Sequence, residues 1–400
     1  MKLSRYLWLL ICGFFFVRMA LFMSYPFLAL HLSDLDFSAI DIGIILGSHY
    51  FFASFIGAIG ANASDRFHPK KIVILNLSTS SIAFIGLAFS TSFFHFLICN
   101  ILLAVSTAIF EPTATTIIAK SVSSELHSIL LRFRYLAINA GAVIGPLLGA
   151  LFLPLGFRLS FVGTSLLIIL YLTVFMSVKP VKMNTERGEN ERRVDLRMVF
   201  NHMRRNTPFL FLMGANLCLT MTYSQIFSTF PQIIKSISGN ESHLYHAMII
   251  TNPISVIILG LFLTRLLSKQ KSKPLLLIGS LLLCFVFVGY GFCSFSYLNC
   301  IGLMVLFSFA EMLLIPTTTK YLIDLAPIEF RGSYLGSESW SYLGFFMGNF
   351  AGGWLLQSGM SVFLFCSILC LSGFFLYLLS FKFHMKRGSS QDAETVMLNI

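Results

Sequence analysis

The chain has 400 residues, of which 56% are hydrophobic and 11% are charged, and its formal net charge at pH 7 is +11. Its mean hydropathy is +0.82. A soluble domain is about a quarter charged, so a soluble globular protein is excluded, and most of this chain is expected to face lipid or a membrane-embedded core. The basic residues are scattered over polar intervals, which argues against a nucleic-acid partner and favours contact with anionic lipid.

Twelve stretches of the chain are apolar over about 20 residues, the length that crosses a hydrocarbon core. We interpret them as transmembrane helices over residues 6–31, 40–63, 72–91, 93–118, 130–154, 158–178, 208–234, 244–264, 274–294, 297–319, 333–357 and 361–381. The turn between the third and the fourth is tight, near residues 90–92. The first stretch lacks a small-residue cleavage site, so we interpret it as a retained helix and not as a signal peptide. The sequence therefore predicts an all-α integral membrane protein with 12 transmembrane helices.

The distribution of basic residues predicts the orientation of these helices. If both termini are cytoplasmic, 25 of the 28 Lys and Arg residues lie on the inner side. The exceptions are Arg158 and Lys235 in outer loops and Arg18 within the first span. Positive charge concentrates in cytoplasmic loops of membrane proteins, so we expect both termini inside, in a bacterial inner membrane.

One long polar interval divides the chain into two parts of six spans each. Residues 1–178 are predicted to form an N-terminal half, residues 179–207 a cytoplasmic linker, and residues 208–382 a C-terminal half. The mixed charge of the linker is typical of a solvated segment, with a short surface helix over residues 194–205. Residues 383–400 are polar and are predicted to be a disordered cytoplasmic tail.

Two glycine stripes, one in each half, predict close helix packing. They are Gly141, Gly145 and Gly149, and Gly344, Gly348 and Gly352. Spacing by four residues places each stripe on nearly one helix face, where another helix can approach at backbone distance. Pro146 removes a backbone donor within the first stripe and is expected to kink that helix. The matched stripes also indicate that the two halves are repeats.

The chain carries an acid–arginine pair within residues 61–71, a glycine-proline run within residues 134–149 and glycines within residues 331–336 and 352–355. Together these segments resemble one protein family, the major facilitator superfamily. Residues 61–71, with the pair Asp65-Arg66 followed by basic residues, are similar to its signature in the loop between spans 2 and 3. Residues 134–149 resemble the glycine-proline signature of span 5 in its drug/proton antiporter branch. Residues 331–336 and 352–355 are also typical of that branch. The resemblance covers essentially the whole chain, and it implies two pseudo-symmetric six-helix halves with a substrate path between them.

The resemblance also implies a gating latch on the cytoplasmic side. In this family the loop acid, here Asp65, caps the N-terminus of span 11, where a carboxylate is favoured. Arg66, Lys70 and Lys71 are interpreted as partners in this latch or as cytoplasmic anchors. Two positions depart from the branch: Asn100 stands where an Arg early in span 4 is common, and Arg18 where multidrug members often carry an acid in span 1.

Ionisable residues at membrane depth are costly and are candidates for function. Five of them define the predicted proton-coupling and substrate path: Arg18, Glu111, Glu311, Glu338 and His49. Arg18 and Glu111 lie on spans that line the same cavity in this fold, so we expect them to pair or to compete for a substrate. The structural alternatives are an ion pair that stabilises the bundle, and a histidine that is hydrogen-bonded within the packing.

The function predicted from these features is export of a small amphiphilic organic compound in exchange for protons. The alternatives are export of an endogenous anionic metabolite such as a siderophore, with Arg18 holding a carboxylate, and proton-coupled uptake of a nutrient. The sequence shows no nucleotide-binding or hydrolase motif, so we expect neither an enzyme nor a cofactor. Its eight cysteines show no CxxC spacing, so we expect no metal. The expected partners are the substrate, protons and membrane lipid, and we expect a monomer.

Overall fold

The computed structural model describes residues 4–66, 68–122, 124–152, 155–181, 196–238, 243–268 and 270–398. Within these ranges all regular structure is helical. In chain order the helices are α1 (Arg5–Ser24), α2 (Leu28–Asp34), α3 (Ala39–Arg66), α4 (Pro69–Phe89), α5 (Phe93–Ser121), α6 (Ser124–Phe152), α7 (Phe157–Ser177), α8 (Leu196–Arg205), α9 (Thr207–Ser238), α10 (His243–Ser268), α11 (Ser272–Phe292), α12 (Tyr297–Leu325), α13 (Arg331–Gly336), α14 (Ser341–Gln357) and α15 (Val362–Leu398).

Eleven of the described helical segments are long and apolar enough to cross a membrane. They match every predicted span except the eleventh, residues 333–357, which is broken. There α13 and α14 are separated by a 3-10 turn over Ser337–Trp340, and α14 has only 17 residues. The prediction of an all-α membrane fold is confirmed, with span 11 built from two pieces.

The break in span 11 follows from its local sequence. Residues 331–341 contain two glycines and four serines, which are poor helix formers. The hydroxyl of Ser337 donates to the carbonyl of Tyr334 at 2.6 Å, and that of Ser341 donates to the carbonyl of Glu338 at 2.6 Å. These side-chain bonds compete with the helical ladder and tighten the backbone into a 3-10 turn.

A proline interrupts span 1 in a similar way. Pro26 has no backbone N–H and so cannot continue the α-helical hydrogen-bond ladder, and α1 ends at Ser24. A 3-10 turn over Tyr25–Phe27 then leads into α2. The span thus continues to Asp34 with one local change of helix type.

The chain forms two compact units, and several spans contribute to both. Unit 1 comprises Met1–Arg192, Gln225–Ile254 and Asn349–Gly359, and unit 2 comprises Arg193–Ser224, Ser255–Gly348 and Met360–Ile400. The predicted six-plus-six boundaries describe a sequence repeat, and the compact units do not coincide with them. In unit 1, the ion pair of Lys235 Nζ with Asp34 Oδ1, at 2.6 Å, joins the ends of α9 and α2.

The first glycine stripe packs against α1, as its spacing predicts. A Cβ atom added to Gly141 would lie 2.5 Å from the carbonyl oxygen of Phe15. At Gly145 it would lie 2.6 Å from the carbonyl oxygen of Met19, and at Gly149 it would overlap that of Met23. Because real Cβ atoms do not approach backbone so closely, α6 can contact α1 here only through glycine.

The second stripe packs in the same manner against α9. In unit 2, a Cβ at Gly344 would lie 2.9 Å from the carbonyl oxygen of Leu217, and one at Gly348 would lie 2.5 Å from that of Met221. In unit 1, a Cβ at Gly352 would overlap the side chain of Gln225. Spans 5 and 11 therefore use matched faces, each against the first span of its own half.

The structure agrees with the surface helix predicted for the linker and differs from the prediction for the tail. The predicted surface helix is present as α8, in which Nδ1 of His202 lies within hydrogen-bond distance of the hydroxyl of Tyr334, at 2.9 Å. The tail differs, because α15 continues to Leu398, whereas the sequence predicts disorder from residue 383.

The predicted orientation is open to a direct test. We expect reporter fusions at residues 190 and 395 to be cytoplasmic, because the inner side carries the excess of Lys and Arg. The measurement is the activity of a reporter that works only outside the cytoplasm, compared with one that works only inside. An outside signal at either position would refute the orientation.

Candidate functional site

A three-member charged cluster joins three helices of unit 1. Arg18 Nη2 on α1 donates to Glu111 Oε1 on α5 at 2.7 Å, and Arg134 Nη2 on α6 donates to Glu111 Oε2 at 3.0 Å. Each carboxylate oxygen thus accepts from a different guanidinium group. We call Arg18, Glu111 and Arg134 the arginine–glutamate cluster. All three residues lie within segments that are long and apolar enough to span a membrane.

The cluster is lined by aromatic rings and is partly accessible. The guanidinium carbon of Arg18 lies 5.7 Å from the ring centroid of Phe22, and that of Arg134 lies 5.1 Å from the ring centroid of Phe14. The two arginine side chains are each 29% exposed and that of Glu111 is 34% exposed. The arrangement combines charge, hydrogen-bond donors and apolar surface, which are the components of a site for an amphiphilic molecule.

The glycine stripe is what brings the cluster together. Gly141 lies against the backbone of Phe15 and Met19, and a Cβ there would be 3.1 Å from the Cβ of Arg18. Arg134 precedes Gly141 by seven residues, or two turns, and therefore lies on the same face of α6. Close packing of α6 on α1 thus places Arg134 beside Arg18, where both reach Glu111.

The sequence predicts the pairing of Arg18 with Glu111 but does not identify Arg134 as a member. The signal was present, because Arg134 is in register with Gly141, Gly145 and Gly149. Arg134 reaches Glu111 only because that glycine face packs against α1, and the sequence alone does not show this packing. The functional roles of Arg18 and Glu111 stay predictions.

A third member changes the expected effect of mutations on stability. Arg18→Met leaves Glu111 paired one-to-one with Arg134, whereas Glu111→Gln leaves two guanidinium groups without an acid. Loss of one partner from a buried pair costs about 3–5 kcal/mol, and partial exposure reduces that figure here. We therefore expect purified Arg18→Met to have a higher midpoint temperature of thermal unfolding than purified Glu111→Gln. The double variant should fall below Arg18→Met, because Arg134 is then unpaired. A double variant more stable than Arg18→Met would contradict the three-member arrangement.

His49 lies in a separate buried region of unit 1. Its ring centroid is 5.2 Å from that of Tyr25, and its side chain is 7% exposed. Within the described residues, Nδ1 of His49 and the hydroxyl of Tyr25 have no hydrogen-bond partner. Asn100 is fully buried beside them and donates to the carbonyl of Ile45. His49 thus lies among buried polar side chains with unused hydrogen-bonding capacity, and the rings that it contacts are those of residues outside the arginine–glutamate cluster.

The two candidate acids of unit 2 lie on or beside α12. The hydroxyl of Tyr223 donates to Glu311 Oε1 at 3.3 Å. The hydroxyl of Thr319 donates to Glu338 Oε1 at 2.5 Å. Glu338 lies in the 3-10 turn that breaks span 11, so its backbone is not part of a regular α-helix. The two acids have different partners, and neither residue's predicted role in coupling is tested by this geometry.

The predicted latch is described only in part. Lys70 Nζ donates to the carbonyls of Met176 at 3.0 Å and Val178 at 2.6 Å, so it supplies hydrogen-bond donors to carbonyls at the C-terminal end of α7. Lys71 is exposed. The side chains of Asp65 and Arg66 lie outside the described residues. Lys70 therefore anchors α7 within unit 1, and the latch itself stays a prediction.

Among the described residues, no group of three His, Cys, Asp or Glu side chains is placed to hold a metal ion. The arginine–glutamate cluster instead forms ion pairs between spans, and Glu311 and Glu338 accept hydrogen bonds from other helices. A multi-span helical bundle with ionisable side chains at membrane depth is typical of membrane proteins that move solutes.

The chain belongs to the Major Facilitator Superfamily, whose family model matches residues 10–337. It is a multi-pass membrane transporter. The MFS-type transporter YqjV of Bacillus subtilis (strain 168) is 26% identical over 350 residues, which cover 86% of this chain and 85% of that protein. The multidrug resistance protein MdtH of Escherichia coli O157:H7 is 24% identical over 385 residues, which cover 94% of each chain.

Solved structures of low sequence identity show the same fold. The nucleoside transporter NupG superposes with a TM-score of 0.73 at 12% identity, covering 96% of this chain and 99% of that chain. A D-xylose–proton symporter superposes with a TM-score of 0.71 at 14% identity, covering 93% of this chain and 96% of that chain. These neighbours move different solutes, so the shared fold does not identify the substrate.

Proposed function

We propose that this protein is a proton-coupled exporter of small amphiphilic organic compounds that works by alternating access. The MdtH relatives are named multidrug resistance proteins, which supports outward movement of foreign or surplus compounds. The names of the relatives do not bear on the siderophore alternative. Residues 134–149, which resemble the glycine-proline signature of span 5 in the drug/proton antiporter branch, also support the exporter hypothesis.

The observation that carries the proposal is the arginine–glutamate cluster. Its one carboxylate connects α1, α5 and α6, because each oxygen holds an arginine of a different helix. A proton on Glu111 would remove the negative charge that both contacts require. Protonation would therefore weaken contacts between three spans at once, which is a direct way to link proton binding to helix movement.

The helix breaks supply places where such movement can occur. The 3-10 turn over Tyr25–Phe27 interrupts span 1 two turns beyond Arg18, and Ser337–Trp340 interrupts span 11. Backbone at these positions lacks the full helical ladder, so changes in φ and ψ cost less there than within a regular helix. We propose that these two positions absorb the change between inward-open and outward-open states.

A transport assay tests the proposal. Inside-out membrane vesicles that contain the protein should accumulate at least one of naphthylacetate, its neutral methyl ester and naphthylethylammonium when a proton gradient, acid inside, is imposed. The accumulation must exceed that of matched vesicles without the protein, because a lipophilic amine also enters an acidic lumen by diffusion. Dissipation of the gradient with a proton ionophore should abolish the accumulation. Accumulation that persists with the ionophore would contradict proton coupling. Accumulation in vesicles of the opposite orientation, with the gradient reversed to match, would indicate an importer.

A further inference from the structure

The arginine–glutamate cluster carries more positive than negative charge. Guanidinium groups remain protonated in proteins, so Arg18 and Arg134 contribute two positive charges against the one carboxylate of Glu111. Among the described residues, Glu111 is the only acid within 4.0 Å of a nitrogen of either guanidinium group. The cluster therefore holds an excess of one positive charge when Glu111 is ionised.

An ion pair that only stabilises the bundle does not need this excess. A single arginine would balance Glu111, and a second uncompensated guanidinium within a membrane span is costly. The excess indicates that an anion completes the cluster during the working cycle. Arg134 is the informative member, because it is the additional charge beyond the pair.

The arginines also keep unused hydrogen-bond donors. A guanidinium group has five N–H donors, and each of these two places only one hydrogen bond on Glu111. Nε of Arg134 is buried and has no hydrogen-bond partner among the described residues. Both side chains are partly exposed, so a ligand can reach them. Two guanidinium groups beside one another are well suited to a carboxylate, which accepts two parallel hydrogen bonds.

We propose that Arg18 and Arg134 bind the negative group of the transported compound, and that this compound is an amphiphilic organic carboxylate. The rings of Phe14 and Phe22, which lie over the two guanidinium groups, offer apolar surface to the rest of the molecule. The proposal rests on the proposed transport function for the movement of the compound but not for its binding. An inside-negative membrane potential favours outward movement of an anion, which agrees with export.

In this arrangement Glu111 is an internal competitor of the ligand. Its carboxylate occupies the donors that a substrate carboxylate would use, and its charge repels the substrate. Glu111→Gln should therefore tighten anion binding, whereas loss of either arginine should weaken it. A cationic ligand would respond in the opposite sense, because it would be attracted by Glu111 and repelled by both arginines.

The experiment measures equilibrium binding to purified protein in lipid nanodiscs, without a gradient. The probes are naphthylacetate, its methyl ester and naphthylethylammonium, which share one ring system and differ in charge. We expect the carboxylate to bind more tightly than the ammonium compound. Arg18→Gln and Arg134→Gln should each weaken carboxylate binding by about tenfold, the loss expected for one charge-assisted contact. Both variants keep Glu111 paired with the remaining arginine, so both should fold.

Arg158→Gln is the matched control, because Arg158 is also an arginine of unit 1 but donates to the carbonyl of Ala88, away from the cluster. It should leave binding of all three probes unchanged. A wild-type preference for the ammonium probe, or no detectable binding of naphthylacetate, would overturn the proposal. So would equal weakening of all three probes by Arg134→Gln, which would indicate a change of shape alone. Retained carboxylate selectivity without proton-driven transport would reject the exporter function and leave the anion site intact.

Discussion

Glu111→Gln is expected to abolish proton-driven export while the protein still binds its compound. The amide has the shape of the protonated acid but cannot release a proton, so the cycle should stop at the step that requires release. The amide also cannot form ion pairs with Arg18 and Arg134, which removes the charge-dependent contacts between α1, α5 and α6. The measurement is the initial rate of accumulation in inside-out vesicles, corrected for protein level, with an imposed proton gradient. We expect a loss of about 100-fold or more, as for removal of an essential proton-transfer group.

Asp36→Asn is a suitable control for this substitution. Asp36 is an exposed residue after α2 with φ 60°, a conformation that asparagine also adopts readily, so the same acid-to-amide change should be neutral. Exchange of substrate across the membrane without a proton gradient should persist in Glu111→Gln. Proton-driven export at the normal rate in this variant would refute the coupling role of Glu111. Glu311 and Glu338 would then be the remaining candidates for proton coupling.

Gly145→Leu is expected to disrupt the protein strongly, and Gly145→Ala to impair it as well. A Cβ at this position would lie 2.6 Å from the carbonyl oxygen of Met19 and 2.8 Å from the Cβ of Phe22. Backbone on the opposing helix cannot move aside as a flexible side chain can, so even alanine must push α6 away from α1. From the glycine spacing alone, the effect of Gly145→Ala would be expected to be mild. The structure predicts about 1–3 kcal/mol of destabilisation for alanine, as for overpacking elsewhere, and more for leucine.

Displacement of α6 would also separate Arg134 from Glu111, so transport should fall together with stability. Thermal unfolding and vesicle accumulation are the two measurements. Gly302→Ala and Gly302→Leu are the matched controls, because Gly302 lies in a candidate span and a Cβ there would meet no atom within 4 Å. Both control variants should behave as wild type. Equally mild effects of leucine at positions 145 and 302 would show that the first glycine stripe does not mediate helix contact.

Properties that depend on short stretches of chain could be predicted from the sequence. Hydropathy over about 20 residues predicts the spans because the cost of placing polar groups in lipid acts on each segment separately. Four-residue glycine spacing predicts a packing face because the helix period is a local property. For the same reason the turn near residues 90–92 and the surface helix over residues 194–205 agree with the structure within a few residues.

Properties that depend on which segments meet were decided only by the tertiary structure. Arg134 is 23 residues from Glu111 in the chain and on another helix, and its membership of the cluster follows from the contact of Gly141 with α1. The break at Ser337–Trp340 gives Glu338 a place in irregular backbone that a continuous apolar stretch does not reveal. The excess of one positive charge in the arginine–glutamate cluster likewise exists only when α1, α5 and α6 are packed together. The sequence alone thus determined the membrane fold and the packing faces, because solvation and helix period act locally. Tertiary packing determined the site, because electrostatic contacts depend on distances in space.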